Sequence, residues 1–224
     1  CALPISQINV GANNSDTRSI AVVLEPASER GIGMLSYTYD AIDRDNETWL
    51  YLSALDKVKR IASANDDEVT EPASLFDSEI TTEDQQTGKL DHYDYQRLQR
   101  GYYRGRPVYI VEARPRPHQR NKNRYSRIQM WIDTERFIAL KMHMYDRYDQ
   151  VIKRLQVGQI EQIKDVWLAR SMTVMNLVNQ RLTQLKLEAI TLKVAIDPDF
   201  ITQRALTDPA FRERHLNNLR RQTQ

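Results

Sequence analysis

Residues 125–157 read YSRIQMWIDTERFIALKMHMYDRYDQVIKRLQV, and their dominant period is two. Ile128, Met130 and Ile132 alternate with Gln129, Trp131 and Asp133. Beyond the polar turn DTER, Ile138, Leu140, Met142 and Met144 alternate with Phe137, Ala139, Lys141, His143 and Tyr145. After DRYDQ, Val151, Lys153, Leu155 and Val157 alternate with Ile152, Arg154 and Gln156. Successive side chains of a strand point to opposite faces, so this pattern predicts strands rather than helices. Three strands joined by short polar turns make an antiparallel meander.

The same period extends outward in both directions. Residues 34–42 and 48–55 read as strands, the second apolar on both faces. A shorter strand follows at 58–62, with Asp56 and Lys57 as the turn. Strands are predicted at 94–100 and 107–113, split by Gly101 and Gly105. Residues 166–176 and 182–196 are two further long candidates. In the second, Leu185 and Leu187 differ in parity from Ile190, Leu192 and Val194, which predicts a bulge near 188–189. The tail changes period, and helices are predicted over 199–206 and 209–221, with Asp208 as cap and Pro209 at the first helical position. The sum is nine or ten strands with little helix, a mainly β chain with a strongly curved antiparallel sheet or barrel. It is expected to form one domain over 1–224, with an N-terminal segment 1–17 and a helical tail 207–224.

Composition bounds the function. The chain has 224 residues, 32 Lys+Arg against 30 Asp+Glu, one Cys, 7 Gly and 11 Tyr. No apolar run approaches the roughly 18–20 residues of a membrane-spanning helix. The near-balanced charge does not mark a nucleic-acid surface, and no nucleic-acid partner is expected. One cysteine makes no disulfide framework. The four histidines, His92, His118, His143 and His215, are scattered without metal-ligand spacing, so neither a metal nor a cofactor is implied. Neither a G-x-S-x-G elbow nor a phosphate-binding glycine loop occurs, so the chain is not expected to be an enzyme.

Near-neutrality conceals two charged loops. Between Arg60 and Lys89 there are eight Asp or Glu and no Lys or Arg, with a short helix predicted over 81–86. Residues 113–127, ARPRPHQRNKNRYSR, hold six Arg or Lys. Arg114, Arg116 and Arg120 of this loop are candidates for contact with a lipid head group or an acidic partner; a solvated loop is the plainer reading. Strand parity places Leu35, Tyr37, Leu50, Leu52, Met130, Ile138, Leu140, Met142, Met144 and Met172 on candidate inward faces. Methionines there serve either as gap-fillers or as an adaptable lining for flexible acyl chains.

Several segments taken together, EPASERGIGMLSYTYD, TWLYLSALDKVKRIAS, HYDYQRL, YIVEARPR, YSRIQMWIDTERFIALKMHMYD and FITQRAL, resemble the outer-membrane lipoprotein-sorting proteins of Gram-negative bacteria, the LolA-like superfamily. The resemblance runs from about residue 18 to residue 206. It implies a half-open antiparallel β-barrel with covering helices, and a periplasmic carrier of lipoprotein acyl chains or other lipids without catalytic residue or metal. It also implies lipoproteins, an outer-membrane acceptor or an RND-type exporter as partners. The carrier is expected to be a monomer. An envelope adaptor that docks to such an exporter without carrying ligand is the alternative. Cys1 has two readings, a lipidated anchor left by signal-peptide cleavage or the edge of a longer chain.

Overall fold

The computed structural model describes residues 3–11, 14–41, 43–61, 74, 76–85 and 90–222. Cys1 and most of the acidic stretch 64–88 lie outside the described residues. The described chain is mainly β and antiparallel, with fourteen strands and three α-helices. It divides into two compact units, one built from residues 1–70 and 191–224 and the other from residues 71–190.

In the first unit, strands β1 (Ile5–Val10), β2 (Asp16–Val22), β3 (Gly33–Thr38), β4 (Glu47–Leu52) and β5 (Lys57–Ile61) form a meander in sequential order. β1 and β2 are not among the strands expected from the sequence, and β1 lies within the expected N-terminal segment 1–17. The strand expected at 48–55 ends at Leu52, because Ser53–Leu55 is a 3-10 turn that ends with Asp56 in the left-handed region, φ 47°. One face of this sheet is capped by α2 (Gln203–Thr207) and α3 (Pro209–Gln222). Ile20, Val22, Leu35 and Tyr51 pack there against Phe200, Ile201, Leu206 and Phe211. The Tyr37 hydroxyl donates to the Ile201 carbonyl at 2.9 Å. Close approach is enforced at Gly33, where a Cβ would stand 2.8 Å from Leu206 Cδ2. The expected cap is present, with the Phe211 amide donating to Asp208 Oδ1 at 2.9 Å. The first tail helix is shorter than 199–206, since Pro198–Phe200 is a separate 3-10 turn.

The second unit holds a seven-stranded sheet. Its strands are β6 (Tyr93–Tyr103), β7 (Arg106–Pro115), β8 (Arg127–Asp133), β9 (Ala139–Tyr145), β10 (Val151–Val157), β13 (Ser171–Asn176) and β14 (Arg181–Lys186), running in the order β14-β13-β10-β9-β8-β7-β6. The meander read from 125–157 is present as β8, β9 and β10. β6 and β7 join through Arg104 and Gly105, both at positive φ (50° and 76°), the two-residue hairpin geometry that suits strand twist. Gly101 therefore lies inside β6 and does not break it. The single strand expected at 166–176 is two, β12 (Val166–Ala169) and β13, and β12 pairs with β11 (Ile160–Ile163) as a separate hairpin. The long strand expected at 182–196 stops at Lys186; no ladder continues past it for a bulge to interrupt. The helix expected near 81–86 is α1 (Thr82–Gln85).

Candidate functional site

Register settles which side chains share a face, because residues directly opposite in a ladder project to the same side. In the second unit Val111 is opposite Met130, Met130 opposite Met142, Met142 opposite Leu155, and Leu155 opposite Val174. Five apolar side chains thus form one row across β7, β8, β9, β10 and β13. A parallel row runs Ala113, Ile128, Met144 and Lys153, and a third runs Tyr109, Ile132 and Ala139. Met172 joins the face opposite Val157. Val174 and Met144 are buried, whereas Met130 and Met142 are only half-buried. The opposite face of the same strands is mixed and polar. Trp131, Lys141, His143 and Tyr145 lie there, with Lys141 Nζ 4.2 Å from the Trp131 ring centroid and His143 edge-on to Trp131 at 5.0 Å. Burial, then Lys141 and Arg154, push the His143 imidazole down to about 4.

A polar segment, residues 76–85, is fastened over part of the apolar face. Ile80 and Tyr125 pack on the cluster of Met144, Leu155, Val157 and Val174. Asp84 is the main anchor. It takes Lys153 Nζ at 2.6 Å, the Tyr125 hydroxyl at 2.8 Å and the Thr81 amide at 2.9 Å. Glu79, also buried, accepts from Asn176 Nδ2 at 2.7 Å and pairs with Arg181 Nε at 3.1 Å. Next to Asp84, burial raises the Glu83 carboxyl to about 7. These acids escaped the sequence reading as anything but a charged loop. Their partners on the sheet, Lys153 and Asn176, lie 69 and 97 residues away, and no local pattern announces them.

The expected lining residues fall as follows. Met130, Met142, Met144 and Met172 share the apolar face of the second unit. Leu140 is the extra residue at a bulge, since Trp131 pairs with Lys141 and Ile132 with Ala139; it packs with Val108 and Ile110 instead. Ile138 touches both clusters. The other four belong to the first unit and divide between two faces. Leu35 is opposite Trp49, while Leu50 is opposite Met34. Leu35, wholly buried, and Tyr37, edge-on to Trp49 at 5.1 Å, are therefore on the face capped by α2 and α3. Leu50 and Leu52 are on the other. Of the basic loop, Arg114 pairs with Glu112 at 2.6 Å and Arg116 with Asp94 at 3.0 Å, and Arg120 is exposed. The basic run is thus partly neutralised by acids of β6 and β7.

Among the described residues no group of three His, Cys, Asp or Glu is placed to hold a metal ion, and no helix is long and apolar enough to cross a membrane.

A family model described as "Uncharacterized protein" matches residues 15–208. The chain belongs to this family. Among solved structures it is similar to a DUF1329 family protein from Desulfovibrio piger, at 25% identity over 90% of this chain and 82% of that one, with a TM-score of 0.82. A putative outer membrane lipoprotein-sorting protein domain from Vibrio parahaemolyticus follows at 20% identity, 92% and 89% coverage and a TM-score of 0.78. A LolA superfamily protein from Nitrosomonas europaea gives 15% identity, 89% and 87% coverage and a TM-score of 0.59. Its fold is therefore like that of these lipoprotein-sorting and LolA-superfamily structures. No curated protein matches it.

Proposed function

We propose that this LolA-like chain is a non-enzymatic carrier in the Gram-negative periplasm, which binds the acyl chains of lipoproteins or other lipids. The observation that supports the reading is the row Val111, Met130, Met142, Leu155 and Val174, apolar across five strands and half-open at its methionines. Moving acyl carbons from water onto such a face is worth about 0.8 kcal/mol per methylene. Unbranched, polarizable methionine side chains adapt to a flexible chain without a fixed shape. Binding by burial is reversible and needs no reacting group. A monomer that passes its ligand to an outer-membrane acceptor, or receives it from an RND-type exporter, fits this chemistry.

Displacement of a fatty-acid fluorophore by long-chain acyl compounds tests the proposal. Micromolar displacement is expected with the unmodified protein. Met142→Glu, which sets a charge in the middle of the row, should abolish it while the far-UV circular dichroism stays unchanged. Absence of displacement from the unmodified protein would count against the carrier reading.

A further inference from the structure

The apolar row does not end at Val111. Its next cross-strand neighbour, on β6 at the edge of the sheet, is Arg97. In the adjoining row Arg100 is opposite Tyr109. Both guanidinium carbons lie close to that one ring, 5.6 Å and 5.3 Å from its centroid. Both arginines are exposed. Among the described residues neither has a carboxylate within ion-pair distance; Asp94, the acid nearest in sequence, is engaged by Arg116. At the other end of the face the cations are already matched, Lys153 by Asp84 and Arg181 by Glu79. Among the described residues, one border of an apolar surface thus carries two unmatched positive charges, and the opposite border carries none.

We propose that this face holds an anionic diacyl phospholipid, with its phosphate at Arg97 and Arg100 and its chains running over β7, β8 and β9 up to the edge of the segment 76–85. The inference rests on the acyl-carrier reading and narrows it to a ligand class. Three features favour this occupant. Guanidinium groups match phosphate oxygens in fork geometry, and an exposed, aromatic-braced pair is pre-set for it. From β7 to β9 the half-exposed part of the row crosses two strand spacings, about 10 Å at roughly 4.8 Å each, before Leu155 and Val174 pass under Ile80 and Tyr125, room for the first carbons of an acyl chain. Width is the third feature. The row from Val111 to Met142 and the neighbouring row of Tyr109, Ile132 and Ala139 are both only half-buried, so two chains can lie side by side. An acylated lipoprotein terminus carries no phosphate and leaves the two arginines unmatched.

Competition with a bound acyl fluorophore decides the matter, using dioctanoyl phosphatidylglycerol, dioctanoylglycerol and octanoate. The unmodified protein should prefer the phosphatidylglycerol over the diacylglycerol. In the double variant Arg97→Gln/Arg100→Gln that preference should fall by about tenfold, as expected for the loss of charge-assisted hydrogen bonds. Arg97→Lys/Arg100→Lys should restore part of it, and thermal melting establishes that both variants are folded. Equal affinity for the two glycerolipids, or a preference unchanged in the Gln variant, would overturn the head-group assignment while leaving an acyl carrier in place. A charge-dependent response to octanoate alone would overturn the diacyl assignment. Failure of all three to displace the fluorophore would remove the carrier reading itself.

Discussion

Lys153 Nζ lies 2.6 Å from Asp84 Oδ2, and both side chains are almost wholly withdrawn from solvent, at 5% and 4% exposure. This pair joins the middle of β10 to the polar segment above it. Breaking a buried pair by removing one partner leaves an uncompensated charge and costs about 3–5 kcal/mol, whereas an apolar replacement of both is often neutral. Asp84→Ala and Lys153→Ala should each lower the urea midpoint steeply. Asp84→Leu/Lys153→Met should recover most of the loss. If the double replacement is as unstable as the singles, the pair contributes by something other than mutual neutralisation.

Glu83, beside that pair, gives the segment a pH dependence. Its carboxyl is raised to about 7 by burial, with neighbouring Asp84 adding to the rise and Lys153 opposing it. A folded-state value above the unfolded one means that the native protein binds the extra proton between about 4.5 and 7. Stability is then greatest below that window and declines as pH rises through it. Hydrogen exchange over residues 76–85 should accelerate from pH 5 to pH 8 beyond the intrinsic base-catalysed trend. Glu83→Gln should remove the excess.

Asp133 has the opposite sign. Arg106 Nε donates to its Oδ2 at 2.9 Å, and the Glu135 and Arg136 amides donate to Oδ1. Chiefly through Arg106, the carboxyl is held down at about 2. Its contribution is complete above the ordinary carboxylate value and fades as pH falls from about 4 to 2. Asp133→Asn is expected to lose on the order of 2 kcal/mol at neutral pH. Acid titration of its unfolding midpoint should be flatter over the same window.

Gly33→Ala tests the packing of the first unit. The added methyl would meet Leu206 Cδ2 at 2.8 Å and Val22 Cγ2 at 3.3 Å, and Leu206 is fully buried. Overpacking of this kind costs about 1–3 kcal/mol. The companion change Leu206→Ala opens space on the same spot. If the two changes are additive in a double-mutant cycle, α2 does not seat on β3 at Gly33.

The meander was legible in sequence because its strands keep strict alternation and its turns are short and polar. The methionine face followed from the same parity. Parity relates residues within one strand, however, and register between strands is set by ladders that sequence does not display. Leu35 and Leu50 therefore looked alike, although pairing with Trp49 and with Met34 sends them to opposite sides of one sheet. At 188–196 apolar residues continue after the cross-strand hydrogen bond of Leu187 to Arg170 has closed the pairing, so pattern without a partner strand was misleading. Arg97 was hidden because its meaning lies across the strands, in line with Val111 and Met130. The Asp84–Lys153 contact was hidden by 69 residues of intervening chain.

The first unit is discontinuous, and this bears on how the molecule comes to be folded. Strands β1 to β5 precede the second unit, yet the residues that cap them, from Phe200 to Phe211, come only after the whole of it. The Tyr37–Ile201 hydrogen bond closes a separation of 164 residues. Such non-local closure is slow compared with pairing of neighbouring strands. During synthesis the second unit has all of its residues while Ile20, Val22 and Leu35 still lack their helical cover. A chain synthesised or clipped short of α2 and α3 therefore displays an adhesive apolar sheet, and protection against self-association falls to whatever accompanies the polypeptide until those helices dock.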